Sequence, residues 1–426
     1  MKQYILILLL LFYISGFAQD TLGLFNCYEL AKDNYPISKQ KKLYQQSNDL
    51  NNKSISTIYY PRLNLNGKAT YQSDVTKIDL EFPEIPGIGQ IPSPDIPEPA
   101  KDQYAVSLDF SQVLYDAGIN KTLKDIGQAD LNLNLQKTEV ELYKLKDIIN
   151  SLYFGILVFQ ETEKQLELTK GILEKQKSII KSGITNGVLL ESDEDLLSAE
   201  LLKLEQKQME LKIKREKLIN ALAEYTGKEI NDKTIIALPD NNVLPSTTIR
   251  PEDLYFDLTK SKLDASSKLL SKKRYPIIYG FGQVGYGRPG YNMLSDQFDS
   301  FYIVGAKLSW NLWDWNKTKN DKQNIEITKQ IIDTQKETFD KNMNIAIRNS
   351  QSDIDNLEKM IETDEQIVGL RKNISKKSES QLKNGVIKFT DYLTDLNTET
   401  MAKIELAIHK IKLEQAKINY ITLKGF

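Results

Sequence analysis

Apolar and polar residues alternate in two segments of the chain, which is the period of a β-strand with two different faces. The segment from Gln103 to Tyr115 carries on one face Tyr104, Val106, Leu108, Phe110 and Leu114. Its other face carries Ala105, Ser107, Asp109 and Ser111. The segment from Ser300 to Trp313 repeats the pattern with Tyr302, Val304, Ala306, Leu308, Trp310 and Leu312. Two further strand-like segments precede these, at Pro61 to Ser73 and at Tyr275 to Gly287.

Most of the remaining chain has the 3,4 spacing of a coiled-coil seam. The seam of the first half consists of Leu142, Leu145, Ile149, Leu152, Ile156, Phe159, Leu166 and Leu173. The spacing predicts long helices from about Asp116 to Ser182 and from Asp314 to Lys383, each on the order of 100 Å. Shorter helices are predicted at 21–59, 187–226, 251–273 and 385–424. From their lengths we expect 187–226 to stack on 251–273, and 385–424 to stack on 21–59.

The chain contains an internal repeat. Its matching elements, each separated by 198 residues, are Leu114-Tyr115-Asp116 with Leu312-Trp313-Asp314, Gly187 with Gly385, Asp193 with Asp391, and Gly227 with Gly425. Further upstream, Tyr60-Pro61 recurs as Tyr275-Pro276 at a separation of 215, so the first copy carries 17 extra residues. They fall within the proline-rich stretch 74–100, which we interpret as a loop because proline excludes both a helix and a central strand.

The repeat and the N-terminus together predict the domain organisation. Residues 1–18 read as a signal peptide, since Lys2 precedes a short apolar run and small residues end at Ala18. The first repeat then covers 19–227 and includes the loop 74–100. A linker, 228–250, connects it to the second repeat, 251–426.

The composition of the chain argues against several classes of function. Lys and Arg number 56 and Asp and Glu 58, a net charge of −2, which gives no electrostatic footprint for nucleic acid. A single cysteine and a single histidine remove most zinc sites and histidine-based triads. Gly280 to Gly285 matches a dinucleotide fingerprint, but a turn follows it where the fingerprint requires a helix. We therefore expect no enzyme, no cofactor and no metal site.

The strand pattern has two interpretations. An apolar face opposite a small, polar face suits a lipid-facing barrel with a wet lumen, or else a half-buried sheet of a soluble protein. Aromatic residues cluster at the strand ends, at Tyr115, Trp310, Trp313 and Trp315, as in a girdle at a membrane interface. Four strands cannot close a barrel, so the membrane interpretation requires several chains to share one.

The order of these elements resembles the TolC family of outer-membrane efflux proteins over essentially the whole mature chain. The resemblance is carried by Cys27-Tyr28-Glu29-Leu30-Ala31 with Asn34-Tyr35-Pro36, by Tyr60-Pro61 and Tyr275-Pro276, by Leu114 to Gly118 and Leu312 to Asp314, and by Asn186-Gly187-Val188 and Asn384-Gly385-Val386. It implies a mainly α fold with a small β part: a homotrimer whose four strands per chain form one twelve-stranded barrel, below which coiled-coil helices form a periplasmic tunnel.

The resemblance also implies partners and a site. The family docks on a periplasmic adaptor, which is bound to an inner-membrane pump of the RND type or to an ABC transporter. We expect the adaptor to contact the hairpin tips at Gly187, Val188, Gly385 and Val386. Carboxylates after the tip glycines ring the entrance in this family, and they map onto Asp193 and Asp391. The family often has a second aspartate three residues later, where this chain has Thr394 followed by Asp395.

Two questions stay open at the level of the sequence. Asp193 and Asp391 are gate residues under the resemblance, but an acidic residue in the first turn of a helix also stabilises that helix. The function we expect is a passive exit duct of a tripartite efflux or type I secretion system, located in the outer membrane. The alternative is a soluble periplasmic coiled-coil scaffold with a small sheet.

Overall fold

The computed structural model describes residues 21–78, 80, 86–87, 89, 98–231, 234–239 and 249–426. The predicted signal peptide at 1–18 lies outside the described residues, as does part of the predicted loop 74–100. The fold is mainly helical. The helices are α1 (Leu24–Asn34), α2 (Gln40–Ser56), α3 (Ile119–Tyr143), α4 (Leu145–Thr185), α5 (Glu191–Thr226), α6 (Pro251–Lys272), α7 (Lys317–Lys383) and α8 (Phe389–Leu423), with 3-10 turns at Pro36–Lys39 and Thr57–Tyr59.

The strands are few and short. They are β1 (Thr21–Leu22), β2 (Arg62–Tyr71), β3 (Asp102–Tyr115), β4 (Ile235–Ile236), β5 (Ile277–Arg288) and β6 (Asp299–Ser309). The main sheet has the order β2-β3-β5-β6, with every neighbouring pair antiparallel. β1 and β4 form a separate parallel pair. The four strand-like segments of the sequence are thus all strands, and β6 ends earlier than the alternation predicts.

The chain folds into two compact units, and each takes residues from both halves of the sequence. The sheet unit comprises Lys42–Asn134 and Asp257–Asp333. The helical unit comprises the described residues within Thr21–Lys41, Leu135–Phe256 and Thr334–Phe426.

The hydrophobic core of the helical unit follows the predicted seam. Six of the eight seam residues are buried: Leu142, Leu145, Ile149, Ile156, Leu166 and Leu173. Helix α5 supplies Leu197, Leu204 and Leu211 to the same core, one at every seventh residue. This spacing is the repeat that keeps one helix face against a partner, so α4 and α5 pack as an antiparallel hairpin.

Two predicted helices are interrupted. The helix expected from Asp116 to Ser182 is divided at Lys144 into α3 and α4. The helix expected over 21–59 begins with the strand β1 and breaks again at the 3-10 turn that starts at Pro36. Proline at that position fits the first turn of a new helix but cannot continue the previous one, because its nitrogen carries no hydrogen.

The predicted stacking of the shorter helices is wrong, because the partners are exchanged. The last carbonyl groups of α5 accept hydrogen bonds from the Asn34 side chain, at 3.0 Å to Glu224 O and 3.2 Å to Tyr225 O. The end of α8 instead meets the start of α6, where Arg250 donates to Leu423 O at 2.9 Å. Both donors satisfy helix-end carbonyls that have no partner within the helix. Gly227 fits this junction because its φ is 67° and a Cβ atom there would lie 2.6 Å from Asn34.

Lys146 is a half-buried cation in the helical unit. Its ammonium lies 5.4, 4.7 and 5.4 Å from the ring centres of Tyr28, Tyr143 and Phe426. Burial lowers the pKa of Lys146 to about 8, with nearby Glu29 acting in the opposite direction. The folded protein therefore holds this proton less tightly than the unfolded chain does.

A pH dependence of stability follows. Between about pH 8 and pH 10 unfolding takes up this proton, so the free energy of unfolding should rise with pH, by up to about 1.4 kcal/mol per pH unit from this group. Lys146→Met should remove that part of the slope and stabilise the protein at pH 7. Thermal unfolding of both proteins from pH 7 to pH 9 measures the difference. Parallel curves for the two proteins would contradict it.

Candidate functional site: the sheet faces and the hairpin tips

One face of the main sheet is apolar on all four strands. The register sets Leu65 opposite Leu108, Leu108 opposite Val284, and Val284 opposite Tyr302. This face is exposed: Leu65 is 75% exposed, Tyr302 79% and Val304 78%. A sheet of a soluble protein buries such a face against other elements. Within the described residues, no other element packs over these three side chains closely enough to bury them.

The opposite face is polar and internally hydrogen-bonded. Asp109 Oδ1 accepts from Gln283 Nε2 at 2.7 Å and from Ser107 Oγ at 3.1 Å, and Asp109 also accepts from Asn66. Ser107 is only 8% exposed. The residues around it on this face are polar, and a polar face of a strand is normally predicted to face solvent. We call this sheet inverted, because its polar face is hydrogen-bonded internally while its apolar face is open.

The strands of each hairpin end in a corner of the same geometry. Asp116 accepts from the backbone N–H groups of Gly118 at 2.9 Å and Asn120 at 2.6 Å. Asp314 accepts from the Thr318 hydroxyl and from the N–H of Thr318 at 3.0 Å, and these two hydrogen bonds, the hydroxyl first, lower the pKa of Asp314. Each corner turns through two residues with positive φ, Ala117 and Gly118 in one and Trp315 and Asn316 in the other. The carboxylates cap the helices that follow, α3 and α7.

The predicted interface aromatics lie at these corners and are exposed. Tyr115 is 51% exposed, Trp310 54%, Trp313 69% and Trp315 83%. Trp310 donates from Nε1 to Arg274 O at 3.0 Å, and Trp313 and Trp315 contact each other edge to face at 5.9 Å. All three tryptophans therefore lie just beyond the end of β6, with their side chains exposed.

The two helix hairpins end in tight turns that lie side by side in the helical unit. Gly187 and Gly385 have φ values of 75° and 68°, which glycine adopts without strain. Val188 N–H donates to Gly183 O at 2.9 Å, and Val386 N–H to Gln381 O at 2.9 Å, so both helices end in the same glycine-dependent cap. A Cβ atom on Gly385 would lie 3.4 Å from Val188, and the two valines are 60% and 69% exposed.

Asp193 and Asp391 occupy the third position of the helices that leave the tips. Asp193 Oδ2 accepts from the N–H of Leu190 at 3.0 Å, and Asp391 Oδ2 accepts from the N–H of Lys388 at 3.2 Å. Leu190 and Lys388 have no side-chain acceptor of their own, so the aspartates supply the local cap. The structure thus supports the capping interpretation directly. The second oxygen of each carboxylate has no hydrogen bond to the described residues and remains open to a ligand.

Several contacts near the second tip could not be predicted from the periodicity of the sequence. Buried Gln176 of α4 donates to the Tyr392 hydroxyl at 3.3 Å, and Ser378 donates to Asp395. Further from the tip, His409 Nδ1 lies 2.5 Å from Asp364 Oδ2. Asp395, which stands one position away from the aspartate typical of the TolC family, is therefore engaged within its own hairpin. These pairs join different helices, which the periodicity within one helix does not specify.

Two features of the described residues bear on alternative sites. Across the described residues, no helix has both the length and the hydrophobicity of a membrane-spanning helix. Nor do the described residues include a group of three or more His, Cys, Asp or Glu side chains placed to hold a metal ion. Gly280 to Gly285 lies within strand β5.

Comparison with known proteins identifies the fold. Neither a profile of a known protein family nor a curated protein sequence matches the chain. Several solved structures, by contrast, match the chain over most of its length. The open state of the MtrE outer membrane channel of Neisseria gonorrhoeae covers 97% of this chain and 93% of its own, at 14% identity and a TM-score of 0.64. The outer membrane protein VceC of Vibrio cholerae covers 94% and 96%, at 14% identity and a TM-score of 0.63.

The chain has the fold of the outer-membrane channels. The CmeC outer membrane channel of Campylobacter jejuni agrees, covering 94% of this chain and 85% of its own at 13% identity and a TM-score of 0.63. The resemblance to the TolC family is therefore confirmed in the fold over nearly the whole chain.

Proposed function

We propose that the chain is one protomer of an outer-membrane exit duct, through which small molecules or proteins leave the cell passively in a tripartite efflux or type I secretion system. The observation that carries the proposal is the inverted sheet. Its apolar face is exposed, its polar face is hydrogen-bonded, and it belongs to the fold of the outer-membrane channels. The same sheet in a soluble scaffold would expose a large apolar patch to water, which soluble monomers rarely do.

The open edges of the sheet support assembly into a homotrimer. β2 and β6 are edge strands of 10 and 11 residues, and neither pairs with another strand among the described residues. Long open edges favour pairing with another chain, and only a closed barrel satisfies every backbone group in lipid. Three chains joined β6 to β2 form a ring of twelve strands. Outer-membrane lipid then covers the apolar face, with Tyr115, Trp310, Trp313 and Trp315 at its boundary.

The tips are the proposed docking surface for a periplasmic adaptor, itself bound to an inner-membrane RND or ABC transporter. Gly187 and Gly385 form the tight turns, and Val188 and Val386 present exposed apolar side chains beside them. These exposed apolar side chains on tight turns give a partner helix hairpin an apolar surface to pack against. Asp193 and Asp391 lie within two turns of these valines, where three chains would bring six carboxylates around the entrance. The duct performs no chemistry and uses no cofactor.

The assembly is directly testable. The mature protein should begin near Gln19 and run as a trimer in mild detergent, because its edge strands pair only between chains. Chemical crosslinking and light scattering in detergent measure the state, and N-terminal sequencing locates the cleavage. A monodisperse soluble monomer, recovered from the periplasm without detergent, would contradict the proposal and favour the scaffold.

A further inference from the structure

Two unpaired cations lie at the same end of the polar sheet face. Arg62 is the first residue of β2, and Lys307 lies two residues before the end of β6. Both strand ends adjoin the corners that lead into helices. In the register, Arg62 lies opposite Ser111, and Ser111 opposite Phe281. Lys307 lies opposite Tyr279. Because Tyr279 is two residues before Phe281 in β5, Lys307 lies about 7 Å nearer the corner than Arg62 does.

Neither cation is neutralised within the chain. Both side chains are exposed, and across the described residues neither forms an ion pair. The strand residues beside them at this level, Ser111, Phe281 and Tyr279, carry no negative charge. This distinguishes Arg62 and Lys307 from Arg288 at the other end of the sheet, whose guanidinium is paired with Asp102.

The acidic residues of the same face lie elsewhere. Asp109 is one pair of residues further from the corner than Arg62, and its carboxylate is hydrogen-bonded to three neutral side chains rather than to a cation. Asp299 faces the same side at the first residue of β6, at the far end from the corners. At the helix-side end of the polar face, Arg62 and Lys307 are therefore cations with no direct ion-pair partner among the described residues.

We propose that Arg62 and Lys307 form a cationic belt around the inner end of the barrel, and that this belt makes the passage there selective for anions. The inference rests on the proposed function. Because Arg62 and Lys307 belong to the two edge strands, closing the barrel brings the Lys307 edge of one protomer beside the Arg62 edge of the next. Three chains then contribute six cations to the helix-side end of the barrel. Rings of like charge in a pore raise the local concentration of the opposite ion.

The belt is opposite in sign to the aspartates at the tips. An anionic or zwitterionic substrate that has passed the tip would therefore meet attraction at the barrel. The belt assigns to the sheet a selectivity of its own, independent of whether the tips act as a gate.

Ion selectivity in planar bilayers tests the belt. Arg62→Gln with Lys307→Gln is compared with the charge-conserving pair Arg62→Lys with Lys307→Arg, all in the Asp193→Asn, Asp391→Asn background so that the tips do not mask the barrel. The reversal potential under a potassium chloride gradient gives the permeability ratio of chloride to potassium. We expect the glutamine pair to lower this ratio at least about threefold. The charge-conserving pair should leave it unchanged.

The outcomes separate the belt from the duct. An unchanged ratio in a conducting glutamine pair would overturn the belt and leave the duct standing. Absence of any conductance from trimeric wild-type protein would overturn the duct itself. If the glutamine pair does not assemble, the ion selectivity of the Asp193→Asn, Asp391→Asn protein tests the belt by itself. Its preference for chloride should be strong at low salt and lost at high salt, as the screening length falls from about 30 Å at 0.01 M to about 3 Å at 1 M. A preference for potassium at low salt would overturn the belt.

Discussion

Leu65→Arg should prevent stable insertion of the sheet into a membrane, whereas Asn64→Arg, on the neighbouring residue of the same strand, should be tolerated. Leu65 lies in the middle of β2 on the exposed apolar face, and Asn64 points to the polar face opposite Asp109. An arginine facing the middle of a bilayer costs about 2 to 4 kcal/mol per strand, and a trimer would bear that cost three times. An arginine on the lumen side remains in water.

Membrane fractionation after a carbonate wash measures the result, together with the trimer band in mild detergent. Leu65→Arg should lose both, and Asn64→Arg should keep both. Because the two substitutions add the same residue one position apart, a general effect of arginine on β2 would affect them equally. Equal membrane retention of the two variants would contradict the assignment of the apolar face to lipid and would favour the scaffold.

Asp193→Asn combined with Asp391→Asn should weaken block by divalent cations added on the periplasmic side by about tenfold or more, while the trimer keeps its thermal stability. Six converging carboxylates attract divalent cations strongly, and six amides do not. Stability should hold because Asn retains the oxygen that accepts from the N–H of Leu190 or Lys388, and Asn caps about as well as Asp. Titration of block in planar bilayers and thermal melts provide the two readouts.

Two comparisons sharpen this experiment. Glu191→Gln removes another exposed acid in the first turn of α5 that has no capping bond, and it should change block little. Asp193→Ala with Asp391→Ala removes the cap as well as the charge, and it should lower stability by about 0.5 to 2 kcal/mol per helix in addition to weakening block. If the asparagine pair leaves block intact, the aspartates are caps alone, and the fold and the duct are unaffected.

The sequence predicted the sheet well because its determinant is local. The alternation in Gln103 to Tyr115 fixes which side chains share a face, and a slip of one residue would exchange the faces completely. It predicted the leucine seam of α4 for the same reason. It could not predict the break at Lys144, since no proline or glycine lies there and the residues on both sides favour a helix.

The exchanged helix ends show a second limit. Helix lengths allow α5 to meet either α6 or the N-terminal helices, and length was the only local guide. The choice is made by single donors far away in sequence, Asn34 for α5 and Arg250 for α8. At the tips, the positions of Asp193 and Asp391 were found from the resemblance, but their hydrogen bonds to Leu190 and Lys388 required the structure. Their role as a gate remains a prediction.

The order β2-β3-β5-β6 has a consequence for how copies can be combined. With an even number of antiparallel strands, the two edges of one chain run in opposite directions, so β6 can pair antiparallel with β2 of a copy that has the same orientation. An odd number would force alternate copies upside down in a fully antiparallel ring. Every chain added to the ring therefore directs its corners to the same side of the membrane. Sidedness of the whole assembly is thus set by the parity of strands within a single chain, before any partner contributes to it.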